Sequence, residues 1–204
     1  MDKETAINLI EWASRKNPGK WVEHSYTVAK AAERIAGECS LDKNLAYNLG
    51  LLHDIGRYVG VVGFKHIYTG YCLMKEKGYD HNAKICLTHS FPIKVFGSAL
   101  LESTCVKSDC SEKEMRELEM ALNNYEYDDY DKLIQLCDII CLAERVSLME
   151  IRMLDVLRRY EKFNENILKQ WNEFFILKKY FDNKCKMNIN ELFKEEIIEG
   201  IFNK

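Results

Sequence analysis

Hydrophobic residues recur at helical spacing along almost the whole chain. No alternating pattern typical of a β-strand runs for more than a few residues. The predicted helices cover residues 4–16, 21–39, 66–77, about 128–145, 165–183 and 190–202. Four more open at Asp42, Asp80, Ser111 and Ser147, with Asp80 as a predicted N-cap. Ser111 and Ser147 each begin a capping-box pattern, and residues 92–110, which lack a clear period, are predicted to form a long loop. We therefore expect an all-α fold.

Composition restricts the class of protein further. The chain has 204 residues, of which 47% are hydrophobic and 30% are charged. A chain of this length buries roughly 70% of its unfolded surface without help from disulfides or a structural metal. These values exclude a disordered chain and a small cysteine-stapled scaffold, and we expect residues 1–204 to form a single domain.

Charge and cysteine content bear on partners and location. The net charge is −3, with no long block of either sign, so we expect no stable nucleic acid complex, although a local basic patch for a small anion remains possible. The eight cysteines form no C-x-x-C pair and are interpreted as buried free thiols in a reducing compartment. With no signal peptide and no apolar run long enough to span a membrane, the expected location is cytoplasmic, with no membrane partner.

An adjacent histidine and aspartate end one apolar helical segment. His53 and Asp54 follow Leu49-Gly50-Leu51-Leu52, and Gly56 comes two residues later. At the end of a helix, an imidazole and a carboxylate can be directed at one point. The alternative is a structural pair, with His53 hydrogen-bonded in the core and Asp54 facing water.

A second aspartate lies inside an apolar helix. On that helix the neighbours of Asp138 are Ile134, Cys141 and Leu142, which predicts a buried carboxylate that needs a cation. Its partner is either an arginine or a metal ion. Histidine and carboxylate ligands together suit divalent Mn, Fe, Co, Ni or Zn, and the absence of a thiolate pattern argues against a structural zinc.

The order His24, His53-Asp54, Asp138 resembles the HD superfamily of metal-dependent phosphohydrolases. The resemblance extends from WVEHSYTVAKAAERIA through LGLLHDIGRY to DYDKLIQLCDIICLAE, over about residues 20–145. It implies a helical bundle in which these four side chains bind a divalent metal. Residues 1–19 and 146–204 would then be an N-terminal helix and a C-terminal helical extension packed on that core.

Two further histidines are similar in placement to those that bind a second metal in some HD subfamilies. His66 begins HIYTGYCLMKEKG and His89 ends AKICLTHSFP. If both reach the site, Asp54 would bridge two ions and both histidines would take part in catalysis. If instead a single ion is held by the first four side chains, His66 and His89 are free to contact phosphate or act as a general acid. A further alternative is that both are ordinary residues at helix ends.

The predicted function is hydrolysis of a phosphoester or phosphoanhydride, with a nucleotide as the expected substrate. Asp54, His66, His89 and Arg57 are the candidate catalytic residues. Arg57 and Lys65 are candidates for contacting phosphate, the alternative for each being a solvated surface charge. The sequence lacks the G-Y-P element of cyclic-di-GMP phosphodiesterases and the Glu-Asp pair of guanosine tetraphosphate hydrolases in this superfamily, while symmetrical diadenosine tetraphosphate hydrolases remain an alternative.

A non-catalytic helical module that binds a nucleotide or a metal is the alternative from another functional class. A homodimer is compatible with the sequence.

Overall fold

The structure is a computed structural model and describes residues 1–94, 109–158 and 165–202. Within these ranges the fold consists of α-helices, two short 3-10 helices over Ile55–Val59 and Ile189–Phe193, and one isolated β-bridge between Cys141 and Val146. The α-helices are α1 (Lys3–Lys16), α2 (Lys20–Glu38), α3 (Lys43–Leu52), α4 (Lys65–Glu76), α5 (Asp80–Thr88), α6 (Glu112–Asn124), α7 (Asp129–Ile140), α8 (Met149–Leu157), α9 (Glu165–Cys185) and α10 (Lys194–Phe202). The all-α prediction is confirmed.

Helices α2 and α3 form the centre of the bundle. They approach closely at Gly50, where a Cβ atom would lie 3.0 Å from the Cα atom of Ala29. Helix α1 covers α3, α7 packs on α2 and α3, and α9 packs on α7. The apolar faces of α2, α3, α7 and α9 meet in one core cluster, so the C-terminal helices share a core with the central pair.

Several helices begin at N-cap residues that can be recognised in the sequence. Asp42 accepts hydrogen bonds from the backbone of Asn44 and Leu45 at the predicted start of α3. The capping box of Ser111 and Glu114 is present. A second capping box, between Asp128 and Asp131, opens α7 at its predicted start.

Two predicted caps are wrong. Asp80 is the first residue of α5 rather than its N-cap, and its carboxylate contacts the Lys75 ammonium instead of the helix backbone. Ser147 does not cap α8, because its hydroxyl donates to the carbonyl oxygens of Ile140 and Leu148.

The predicted helix over 128–145 is too long, because α7 ends at Ile140. The chain then turns back, with the amide of Leu142 donating to Arg145 and that of Ser147 donating to Ile140. The Thr27 hydroxyl of α2 donates to the Ala143 carbonyl at 2.8 Å and anchors this turn. Tertiary packing against α2 therefore ends the helix.

Three further predictions concern the long loop, the burial of the cysteines and the absence of a membrane span. Residues 95–108, most of the predicted 92–110 loop, lie outside the described residues. Seven cysteines are described as free thiols, but three of them, Cys72, Cys110 and Cys185, are half-buried rather than buried. No helix in the described part of the chain is both long enough and apolar enough to cross a membrane.

Candidate metal centre

The end of α3 directs His53 and Asp54 inward. Helix α3 stops at Leu52, and both residues are almost completely buried before the 3-10 helix begins at Ile55. The Nδ1 atom of His53 donates to the Gly50 carbonyl at 2.7 Å, which leaves the Nε2 lone pair directed away from the helix.

Helix ends also place His66 and His89. His66 is the second residue of α4, His89 follows the last residue of α5, and both are buried. The Nδ1 atom of His66 donates to the Gly63 carbonyl, and that of His89 donates to the Cys86 carbonyl at 2.9 Å. Each ring is thus fixed with Nε2 facing the interior, the orientation that a metal-binding imidazole requires.

Gly56 lets α4 approach the histidine-aspartate pair. A Cβ atom on Gly56 would lie 1.9 Å from the carbonyl oxygen of His66 and 2.4 Å from the amide nitrogen of Gly70. The Thr69 hydroxyl donates to the Gly56 carbonyl at 2.9 Å and secures the contact. Gly56, which follows the His53-Asp54 pair, is therefore required to bring His66 to Asp54.

Helices α2 and α7 contribute the other two side chains. The Nε2 atom of His24 is hydrogen-bonded to Oδ1 of Asp138 at 2.9 Å. The prediction that Asp138 is buried is wrong, since its side chain is 28% exposed. It lines an open cavity rather than the core, because α7 turns this face toward the space between the helices.

The six predicted metal-binding side chains come together in two groups of three. His24, His53 and Asp138 form one group, and Asp54, His66 and His89 form the other; within each group the donor atoms lie within 4.8 Å of one another. The Oδ1 atom of Asp54 lies 3.1 Å from Nε2 of His66 and 3.7 Å from Nε2 of His89, and its Oδ2 atom lies 4.0 Å from Nε2 of His53. The two oxygens of Asp54 therefore face different groups.

The donor set fits divalent cations. Among the described residues, Nε2 of His53, Nε2 of His66 and Oδ1 of Asp54 are buried without a hydrogen-bond partner. Buried polar atoms are normally paired, so three such atoms in one space require a common partner. Imidazole nitrogens and carboxylate oxygens together suit divalent transition metals, which resolve this deficit.

Burial and charge hold these groups in the protonation states that bind metal. Burial lowers the pKa of His53, and it lowers that of His89 to about 3, so both imidazoles are neutral near pH 7. Burial alone would raise the pKa of Asp54, but the Arg57 guanidinium and His66 hold it well below its usual range. The hydrogen bond from His24 likewise outweighs burial and lowers the pKa of Asp138.

All members of the two groups except His53 line a cavity of about 590 Å³. Of the two phosphate candidates, Arg57 lines this cavity and donates from Nε to Oδ2 of Asp54 at 2.5 Å. Lys65 does not line it, because its ammonium is paired with Glu114. The fifth histidine, His81, lies elsewhere, with its ring against Tyr130.

The family model for the HD domain matches residues 21–147. This range contains all six side chains of the two groups and more than half of the chain. The chain belongs to the HD-domain family. No curated protein and no solved structure matched it. HD domains generally are metal-dependent phosphohydrolases that bind divalent metals, and the resemblance seen in the sequence is confirmed.

Sequence reasoning missed part of the wall of this cavity, which extends beyond the HD domain. Lys20, Arg152, Gln170 and Trp171 line it, yet none was a candidate residue. Lys20 directly precedes the predicted second helix and was detectable as a cation one turn before His24. The other three carry no sequence signal, because the packing of α8 and α9 brings them to the cavity.

Proposed function

We propose that this HD-domain protein hydrolyses a phosphoester or phosphoanhydride bond in a small phosphorylated molecule, and that the molecule is a nucleotide. The observation that supports this proposal most strongly is the pair of adjacent three-residue groups, with the two oxygens of Asp54 directed toward different groups, at one wall of a cavity. Apart from these side chains, the charged residues lining the cavity in the described part of the chain are cations: Lys20, Arg57 and Arg152.

The charge balance of the cavity favours an anion. Asp54 and Asp138 are the acidic residues among its described lining, and both belong to the groups that would hold the metal. Once divalent cations neutralise these two carboxylates, the remaining wall is positively charged. A phosphate group is the natural ligand for such a surface.

Six side chains would hold the ions: His24, His53, Asp54, His66, His89 and Asp138. Bound ions would supply Lewis-acid chemistry, since divalent cations withdraw charge from phosphoryl oxygens and make water acidic enough to lose a proton near neutral pH. Asp54, with one oxygen toward each group, would contribute to holding the ions in both groups. In the reaction the water oxygen bonds to phosphorus as the bond from phosphorus to the leaving oxygen breaks.

Arg57 is proposed to orient the phosphate. Its Nε atom is fixed on Asp54 and its Nη1 atom donates to the Val62 carbonyl at 3.2 Å, so the guanidinium is held beside the ligand groups. A guanidinium in this place neutralises charge on a phosphate with little loss of side-chain entropy. We place the activity in the cytoplasm, where the described free thiols persist.

Metal analysis followed by an activity screen tests the proposal. The purified protein is loaded with Mn²⁺, Co²⁺, Ni²⁺ or Zn²⁺ and assayed on p-nitrophenyl phosphate, bis-p-nitrophenyl phosphate and a panel of nucleotides that includes diadenosine tetraphosphate. We expect metal-dependent turnover that is lost in Asp54→Ala. Stoichiometric metal without turnover of any phosphoester would instead favour the non-catalytic binding module.

A further inference from the structure

The cavity above the candidate metal centre is completed by helices that lie outside the HD match. Of the described residues that line it, seven come from α8 and α9, beyond residue 147. On α9 the lining positions are 167, 170, 171 and 174, which recur at the spacing of one helix face. Helices α8 and α9 thus both present side chains to the space in which a substrate would lie.

This face differs chemically from the metal-binding wall of the cavity. The metal-binding wall consists of histidine and aspartate side chains, whereas α8 and α9 contribute mainly apolar and aromatic ones, including Trp171 and Phe174. Small-molecule pockets of about 300–1,000 Å³ typically combine an apolar wall with a few placed polar groups. A cavity of about 590 Å³ with these two walls suits a ligand with a phosphate at one end and a flat apolar group at the other.

Two polar side chains on this face have donor atoms without acceptors. The Nε atom of Arg152 and the Nε2 atom of Gln170 are buried and have no hydrogen-bond partner among the described residues. Arg152 is nevertheless fixed, because its Nη1 atom donates to Asp155 at 2.9 Å. Unpaired buried donors are costly, and both residues line the cavity, so acceptor atoms of a ligand are the expected partners.

From these observations we infer that the C-terminal extension is the substrate-recognition wall, and that it selects nucleoside phosphates. The base packs against Trp171 and Phe174, Gln170 donates to the edge of the base, and Arg152 donates to a phosphate oxygen. The inference rests on the proposed function, since it assigns the substrate class of that same site. It makes residues outside the HD domain responsible for specificity.

The test compares nucleotides with tripolyphosphate, which carries phosphoanhydride bonds but no base. Trp171→Leu keeps an apolar side chain and removes the aromatic ring. We expect this variant to raise KM for nucleoside triphosphates about tenfold, the usual effect of removing one base–aromatic contact, while kcat/KM for tripolyphosphate stays the same. Phe175→Leu is the matched control, because Phe175 adjoins the lining face of α9 but is 43% exposed and does not line the cavity.

Gln170→Leu and Arg152→Gln separate the two polar contacts. Gln170→Leu should change the ranking of purine and pyrimidine nucleotides, whereas Arg152→Gln should weaken nucleotides and tripolyphosphate alike. Equal losses for both substrates in Trp171→Leu, or no loss for either, would overturn the inference.

Calorimetric titration with adenosine and guanosine triphosphates distinguishes this inference from the proposed function. If the wild-type protein hydrolyses none of the nucleotides, tripolyphosphate or p-nitrophenyl esters but binds nucleotides, and Trp171→Leu weakens that binding, the recognition wall stands and the hydrolase proposal fails. If it hydrolyses tripolyphosphate or p-nitrophenyl phosphate but neither binds nor prefers nucleotides, the hydrolase proposal stands and the recognition wall fails.

Discussion

The Nε2 atom of His66 lies 3.1 Å from the Oδ1 atom of Asp54, and neither atom has a hydrogen-bond partner among the described residues. The Nδ1 atom of His66 is hydrogen-bonded to the Gly63 carbonyl, so Nε2 is the ring nitrogen that faces the carboxylate. A buried imidazole nitrogen and a buried carboxylate oxygen this close together are the type of ligand atoms that divalent transition metals prefer. This relationship is the observation that most directly favours a metal at the site.

Removal of one carboxylate from each group tests the ligand assignment. We expect Asp54→Ala and Asp138→Ala each to lower metal content and to abolish hydrolysis while leaving the far-ultraviolet circular dichroism spectrum nearly unchanged, because both side chains face the cavity rather than the core. Elemental analysis of the purified variants measures the loss. Full metal occupancy in Asp138→Ala would return that carboxylate to the role of an ion-pair partner for His24.

The number of ions is tested with the histidines of the second group. His66→Ala combined with His89→Ala should remove one of two ions, because it leaves Asp54 alone in that group. His81→Ala, which changes a histidine outside the cavity, is the control and should retain both ions. One ion per chain in the wild type and in the double variant, with metal in excess, would contradict the two-ion arrangement.

Arg57 and Lys65 are both cations close in sequence to His53 and Asp54, but in the structure only Arg57 lines the cavity. Arg57→Ala should lower kcat/KM at least about tenfold, the loss expected when a charged hydrogen bond to phosphate is removed. Lys65→Ala should change it less than about twofold, because Lys65 pairs with Glu114 away from the cavity. Comparable losses in the two variants would show that the cavity wall is incorrectly assigned.

Gly56 is a sensitive test of how the site is assembled. Gly56→Ala places a methyl group against the backbone of His66 and Gly70, so α4 must move. We expect a loss of about 1–3 kcal/mol in the free energy of unfolding and weaker metal binding through displacement of His66. Urea denaturation and metal titration measure the two effects. Gly60→Ala, at a position open to solvent, should leave metal affinity unchanged despite its own backbone strain.

The metal-free protein should lose stability in mild acid. Burial lowers the pKa of His89 to about 3, below its ordinary value of 6.5, and also lowers that of His53. As the pH falls below about 6.5 the unfolded chain takes up these protons first, so the free energy of unfolding decreases, by at most ~1.4 kcal/mol per pH unit for each histidine.

Urea denaturation after chelation, between pH 7.5 and 5, measures this decrease. His89→Asn should show a shallower dependence on pH. If the slope is unchanged in that variant, His89 takes up a proton as readily in the folded protein as in the unfolded chain.

The sequence by itself determined most of the helices and the candidate metal-binding residues. Helical periodicity and the caps at Asp42 and Ser111 are local properties, because each depends on residues within one or two turns. The order of His24, His53-Asp54 and Asp138 gave the family for the same reason, since these side chains are few and each has a recognisable local setting.

Tertiary structure alone decided how those residues are used. The end of α7 at Ile140, the exposure of Asp138 to the cavity and the pairing of Lys65 with Glu114 all depend on segments distant in sequence. The position of Trp171 on the cavity wall likewise follows from packing of α9 on α7. Periodicity shows which face of a helix is apolar, but not which cavity that face meets, because contacts between distant helices have no period in the sequence.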